Sequence, residues 1–316
     1  MTLIHPLIHI GYHKTATTWL QRELFCINSN VFVPLSPDNN PNVGKYLGRQ
    51  FIRDRDGYLL SPFDLNRDVI LQELEFILGK IDIGGRVPVL SYERLSGNPH
   101  SGGFDARVIA ERIQACFPDA RIFCVIREQQ EILLSTYFQY LKIGGTDTLK
   151  TYLSRSYDGR RPGFSPAHFN YIDLVSCYCR LFRRENVLIL PYEMFRNQAG
   201  LFLEKLGMFV SLDISDRVDR AEIRYNKRAD DAITPRLPFL NLLLESSSVN
   251  AYSPLRTPLA RPLLRLTNRL LPLNSGAYAK KLRQQIGAIV GDRYRAGNRR
   301  LSELIGIDLS AYGYHD

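Results

Sequence analysis

Residues 7–20 read Leu7-Ile8-His9-Ile10-Gly11-Tyr12-His13-Lys14-Thr15-Ala16-Thr17-Thr18-Trp19-Leu20. The apolar run Leu7 to Ile10 is short and stops at a glycine, the pattern of a buried strand. From Thr15 the period changes, and Trp19, Leu20, Leu24 and Phe25 recur at helical spacing. The chain therefore opens strand, tight loop, helix. A turn of this kind lines up successive backbone N–H groups beside a helix N-terminus, and together they form a cradle for an anion. Lys14 adds a full positive charge. Thr15, Thr17 and Thr18 add hydroxyl donors and the capacity to cap the helix. This is phosphate-binding chemistry, but it is not the Walker arrangement, in which lysine follows a second glycine. The plain alternative is a turn with a threonine N-cap.

Outward from this unit the pattern alternates. Arg86 to Tyr92 (RVPVLSY), Arg121 to Ile126 (RIFCVI) and Val187 to Leu190 (VLIL) read as further strands. Asp68 to Lys80, Asp105 to Phe117, Glu128 to Lys142, Ala167 to Arg184 and Gly200 to Leu206 read as helices. Residues 29–66 are rich in Pro, Asn and Asp and are expected to be an irregular excursion, as is the loop Gly144 to Pro166 with its basic pair Arg160-Arg161. Alternating strands and helices predict an α/β chain: a P-loop-like three-layer fold with a mostly parallel central sheet flanked by helices. Right-handed crossovers bring the loops after the strands to one edge, where open α/β sheets bind ligands. Residues 233–275 are rich in Leu, Pro and Arg, and Ala277 to Leu304 is helical in pattern. The expectation is a single domain over 1–316 with a helical C-terminal cap, residues 233–275 covering an acceptor site.

Composition narrows the partners. Of 316 residues 45% are apolar and 23% charged, so a packed core is expected. Forty-one Lys and Arg against 32 Asp and Glu give a net charge of +9, which favours anionic partners. The basic residues are dispersed, which argues against nucleic acid as the partner. The five cysteines are odd in number and fit no zinc spacing, so they read as buried thiols in a reducing compartment. With no leader pattern before Leu7 and no stretch of about 18 apolar residues, a cytoplasmic protein without a membrane span is expected. No acidic cluster suited to a metal is visible, and no metal requirement is expected.

A second motif follows the RIFCVI strand. Arg127 stands at its C-terminal end, and Ser135 lies eight residues on, along the next predicted helix. A guanidinium at that edge can grip a phosphate bidentately; a salt-bridged arginine is the common alternative. Together the two motifs resemble those of the PAPS-dependent sulfotransferases, which use 3′-phosphoadenosine 5′-phosphosulfate. That family carries a first-strand loop of the form K-x-G-T-T-W and a later Arg with a Ser eight residues on. Lys14 to Trp19 matches the first, Arg127 with Ser135 the second, and HKTATTWLQ is similar to the bacterial members. Weaker likeness extends to Asn186–Glu193 and to Asn298-Arg299-Arg300-Leu301. The resemblance implies that Gly11, Lys14, Thr15, Ala16, Thr17, Thr18 and Trp19 form the 5′-phosphosulfate loop and that Arg127 and Ser135 hold the 3′-phosphate. Its product would be PAP, 3′-phosphoadenosine 5′-phosphate.

The chain departs from the family in two respects. Ala16 stands where glycine is usual, which suggests helical rather than left-handed backbone there. The Arg-Lys-Gly motif of the cytosolic animal branch is absent; Asn226 and Lys227, within Arg224 to Arg228, are the candidates to replace it. A third constellation, Ser91-Tyr92-Glu93-Arg94, follows the second predicted strand. By resemblance to carbohydrate sulfotransferases Glu93 is the candidate base for the acceptor proton, with His13 as its rival and an ion pair to Arg94 as the structural alternative. The acceptor implied is a carbohydrate, a glycan or lipid-linked sugar, or another small hydroxyl compound. Two other readings remain open. One is a P-loop-type nucleotide kinase or phosphotransferase, which would need a carboxylate for Mg²⁺. The other is a non-catalytic anion-binding protein in peripheral contact with a membrane through the Leu/Arg/Pro segment 254–273.

Overall fold

Residues 5–26, 28–36, 45–54, 56–154, 163–214, 235–244 and 275–316 are described by the computed structural model. Among them, five strands form one sheet: β1 (Leu7–His9), β2 (Phe32–Pro34), β3 (Val87–Ser91), β4 (Arg121–Ile126) and β5 (Val187–Pro191). Their order is β2-β3-β1-β4-β5 and every pairing is parallel. A parallel sheet is covered on both faces, so its strands are apolar throughout; all three residues of β1 are buried. One face carries Ile8, Leu90, Ile122 and Cys124, packed beneath α3 (Arg67–Leu78), α4 (Ala106–Cys116), α5 (Gln129–Lys142) and α7 (Tyr171–Phe182). The other carries Leu7, Val89, Phe123 and Leu190, packed against Leu20, Leu24, Phe202 and Leu206. The last two belong to α9 (Ala199–Val210); Leu20 and Leu24 belong to a short helix, α1 (Thr17–Trp19), that continues as a π-helical turn, Leu20–Leu24. The expected three-layer α/β fold is present.

The sequence missed three short elements. β2 lies in the stretch expected to be irregular; a three-residue strand ending in proline fits only the edge of a sheet, and β2 is at the edge. The same stretch holds α2 (Lys45–Arg49), and the 144–166 loop holds α6 (Leu149–Leu153). The fourth long helix begins later than expected: Pro166–Phe169 is 3₁₀ and the α-helix starts at Tyr171. Ahead of β5's partner loops, α8 (Tyr192–Asn197) follows β5 directly.

Three helices from the later part of the chain are described: α10 (Leu237–Leu244), α11 (Ser275–Val290) and α12 (Arg295–Ile305). α10 and α11 pack on α5, and α12 packs on α7. The Asn241 amide donates to the carbonyls of Leu141 and Gly145, each at 2.8 Å. The Asn298 amide accepts from Gln129 Nε2 at 2.6 Å and donates to the His315 carbonyl at 2.6 Å. Most of the expected cap at 233–275, Arg160-Arg161, Asn226 and Lys227, and the segment 254–273 lie outside the described residues. No described helix is long and apolar enough to cross a membrane.

The excursion between β2 and β3 is anchored by one buried arginine. Arg112 of α4 donates from Nε to Asp64 O (2.8 Å), from Nη1 to Phe51 O (2.7 Å) and from Nη2 to Ser61 O (2.6 Å). A buried guanidinium is tolerable only with its donors satisfied. Here they also satisfy carbonyls that no ladder serves. Replacing Arg112 with Met, similar in length but apolar, strips three acceptors at once. The expected cost is about 3 kcal/mol in equilibrium unfolding by urea; a loss below about 1 kcal/mol would mean that water takes over those carbonyls.

Candidate active site

The loop after β1 is strained in a specific way. Lys14 and Ala16 have positive φ (68° and 64°), while Thr15 between them does not. Alternating handedness along three residues turns their N–H groups to one concave side, the geometry of an anion nest. Two L-residues in the left-handed region cost of order 1 kcal/mol each, so the surroundings must hold them there. The Thr15 hydroxyl, buried, donates to Tyr12 O within the loop. Ser96 Oγ lies 3.4 Å from Gly11 O, and Arg127 Nη1 donates to Lys14 O at 3.4 Å. The expectation of helical backbone at Ala16 is corrected: φ 64°, ψ 11° is left-handed, because the nest requires reversal at that residue. The threonine cap is corrected too. Ala16 is the N-cap of α1, and no side chain caps it.

The loop's side chains divide by role. Thr17 Oγ1 is buried and, among the described residues, has no hydrogen-bond partner. A buried hydroxyl free to donate in the first turn of α1 fits an anion held by the loop. Lys14 and Thr18 are exposed. Trp19 turns away and packs on Phe195, with ring centroids 4.8 Å apart. Gly11 is needed for space: a Cβ there would lie 2.5 Å from His9 Nε2. His9 sits under the loop, fully buried, its Nδ1 2.8 Å from Ser91 Oγ. The Gln21 amide donates to the Ser91 carbonyl and hydroxyl at 3.1 and 3.2 Å. Ser91 Oγ, itself accepting from the Gln21 amide, is the hydrogen-bond partner of the His9 ring, whose Nε2 has none among the described residues. Burial lowers the His9 pKa to about 3.

Arg127 follows β4, the neighbour of β1, so parallel register brings it to the same sheet edge as Lys14. Its backbone is clamped. Tyr171 donates to Arg127 O at 2.6 Å, and the next N–H, that of Glu128, donates to Glu193 Oε1 at 3.1 Å. Glu128 caps α5, accepting from the N–H groups of Gln130 (2.8 Å) and Glu131 (3.0 Å). The guanidinium lies over the Tyr192 ring, 5.0 Å from its centroid, and Nη2 donates to Glu131 at 3.1 Å. Nε is buried without a partner among the described residues. Ser135, half-buried, is two turns further along α5. Burial, ahead of all other causes, raises the pKa values of Glu128 and Glu193.

Glu93 opens a 3₁₀ turn, Glu93–Ser96, directly after β3. Ser96 links that turn to the loop: its hydroxyl is 3.0 Å from Glu93 O as well as near Gly11 O. Arg94 does not pair with Glu93; it pairs with Asp105 at 2.7 Å. Among the described residues the Glu93 carboxylate makes no hydrogen bond or ion pair. His13 lies in a cluster that sequence reading did not foresee. Its pKa is lowered to about 3, first by burial, then by His100, Arg94, His168 and Lys14. His100 accepts or donates at Nδ1 to Tyr152 OH (2.9 Å), and its Nε2 and that of His168 are buried without partners among the described residues. The one sequence signal for His100 is its setting, Gly97-Asn98-Pro99-His100-Ser101-Gly102-Gly103, a glycine-rich turn just after Glu93. Tyr171 gave no signal, and Glu193 gave none beyond the NVLILPYE likeness.

No family model matches the sequence, and no curated protein matches it. Solved structures do. The sulfotransferase from Alicyclobacillus acidocaldarius superposes with a TM-score of 0.54 over 98% of either chain, at 15% identity. At that identity the likeness is one of fold, and the chain has the fold of a sulfotransferase. The sulfotransferase domain from the curacin biosynthetic pathway aligns over 92% of this chain and 98% of its own, at 14% identity and a TM-score of 0.41. Mouse sulfotransferase SULT7A1 complexed with PAP aligns over 88% and 89%, at 14% and 0.40.

Two measurements test the loop. Ala16→Gly removes a methyl from left-handed backbone, so unfolding stability should rise by about 1 kcal/mol; a fall of that size would mean the methyl's packing outweighs the strain. His9 should make the protein acid-sensitive. Its folded pKa of about 3 lies below the ordinary 6.5, so the unfolded chain binds the proton first. Stability is whole above pH 6.5 and declines as pH falls through that value toward 3. His9→Asn, which cannot protonate, should lose about 1 kcal/mol less than wild type between pH 7.5 and 5.5; equal losses would refute this.

Proposed function

We propose that the protein is a PAPS-dependent sulfotransferase acting on a hydroxyl or amine of a carbohydrate acceptor, a glycan or lipid-linked sugar. One observation carries the reading. The strained nest at Lys14 and Ala16, with its orphaned Thr17 hydroxyl, is tied through the Lys14 carbonyl to Arg127. Two anion-binding features are thus joined at one sheet edge, which suits a ligand with phosphates at both the 5′ and 3′ positions of a nucleotide. PAPS supplies an activated sulfuryl group whose leaving group is the 5′-phosphate of PAP.

The chain's residues take these roles. The N–H groups of residues 14–18, Lys14 and the Thr17 and Thr18 hydroxyls hold the 5′-phosphosulfate and stabilise the charge that builds on the bridging oxygen. Arg127 and Ser135 hold the 3′-phosphate. Glu93 takes the acceptor proton. His13 is the weaker candidate, since burial and cationic neighbours oppose its protonation. Charge stabilisation is assigned to Lys14 and the loop rather than to a metal ion. The Nε2 atoms of His100 and His168, without partners among the described residues, are suited to orient sugar hydroxyls. The reading includes a cytoplasmic protein.

Calorimetric titration of PAP, with ADP and ATP as controls, tests the assignment. Wild type should prefer PAP. Lys14→Ala should weaken PAP and ADP alike, by about tenfold or more, and Arg127→Ala should erase the preference for PAP. Equal affinity of wild type for PAP and ADP would remove the 3′-phosphate site and favour the kinase reading.

A further inference from the structure

We infer that Arg283, on α11, is a second cation of the 3′-phosphate site, and that the Glu131 carboxylate stands in for the phosphate until the nucleotide arrives. The inference rests on the donor reading above. Glu131 is in the first turn of α5, one turn before Ser135 on the same helix face, and Arg127, just ahead of the helix, reaches back to it. One carboxylate oxygen, Oε2, accepts from Arg127 Nη2 at 3.1 Å, and the other, Oε1, accepts from Arg283 Nε. Two guanidiniums therefore converge on a single anionic group between the two residues assigned to the 3′-phosphate.

A phosphate has the same needs as that carboxylate and meets them better, with more oxygens and more charge. Arg127 Nε, buried and without a partner among the described residues, is a donor that Glu131 does not reach. Arg283 is well placed to serve because α11 is fixed along α5. Tyr278 is hydrogen-bonded to Tyr137, Ile286 is fully buried, and a Cβ at Gly287 would lie 3.3 Å from Gln130 Oε1. Glu131 and Arg283 are both part-exposed (31% and 44%), so the carboxylate can swing into water without a burial penalty. The C-terminal helices then contribute a ligand contact that the motif after β4 lacks on its own.

The rival role for Glu131 is a strut that aims Arg127, helped by its position in the first turn of a helix. The sign of one substitution separates the two. PAP and ADP binding to the full chain would be followed by calorimetry and by fluorescence of Trp19, the sole tryptophan. Glu131→Gln should tighten PAP by about threefold and leave ADP unchanged, because a competing charge is gone. Arg283→Ala and Arg283→Gln should each weaken PAP by about tenfold and leave ADP within about twofold. Lys280→Ala, an exposed charge one turn earlier on α11, should leave both unchanged; a drop equal to that of Arg283→Ala would reduce the effect to general charge and overturn the contact. Near-UV circular dichroism identifies any variant that has lost its fold. Weaker PAP binding by Glu131→Gln overturns the stand-in role, and unaltered PAP binding by both folded Arg283 variants overturns the contact. Wild type without a preference for PAP over ADP would sink the donor reading itself, before any variant is compared.

Discussion

Two residues held in left-handed backbone, Lys14 and Ala16, can stay there only because three contacts, one internal and two from neighbouring segments, grip the loop. The Thr15 hydroxyl closes it from within, Ser96 approaches it from the turn after β3, and Arg127 reaches it from the end of β4. Each grip comes from a strand adjacent to β1 or from the loop itself. Parallel pairing is what makes this possible, since it sends the ends of β1, β3 and β4 to the same edge. The strain in the loop and the convergence of Glu93, Lys14 and Arg127 are thus two results of one sheet order.

The electrostatics follow from depth. On the edge itself the charged groups keep some exposure: Lys14 is open to solvent and Arg127 half-open. Beneath and beside them four imidazoles, of His9, His13, His100 and His168, are held neutral, each with its pKa lowered first by burial. Neutral imidazoles add hydrogen-bonding atoms to this edge without adding charge.

Much of this was legible in the sequence because it depends on local pattern. The LIHI run, the switch to helical spacing at Thr15 and the apolar RIFCVI strand located the sheet, the loop and Arg127. What escaped depended on distant partners. No periodicity marks a three-residue edge strand such as Phe32–Pro34, whose existence rests on pairing with Val87 to Val89. The backbone at Ala16 was misjudged because a methyl argues for helix locally, and the tertiary grip on the loop overrides that preference. The Tyr171 clamp and the Glu131–Arg283 pair join residues 44 and 152 positions apart, the histidine cluster joins three separate loops, and nothing in a single sequence announces such meetings.

Tyr314 is buried and donates to Glu193 Oε2 at 3.1 Å, and the other oxygen of Glu193 accepts the N–H of Glu128 beside Arg127. The support of the arginine thus includes a residue made almost 190 positions after it. As the chain leaves the ribosome, the sheet and the anion loop can assemble early from local and neighbouring strands. The arginine's frame cannot close until residue 314 has emerged. Without Tyr314 the Glu193 carboxylate would lose one of the hydrogen bonds that orient it, so a residue remote in sequence helps to hold the backbone beside Arg127.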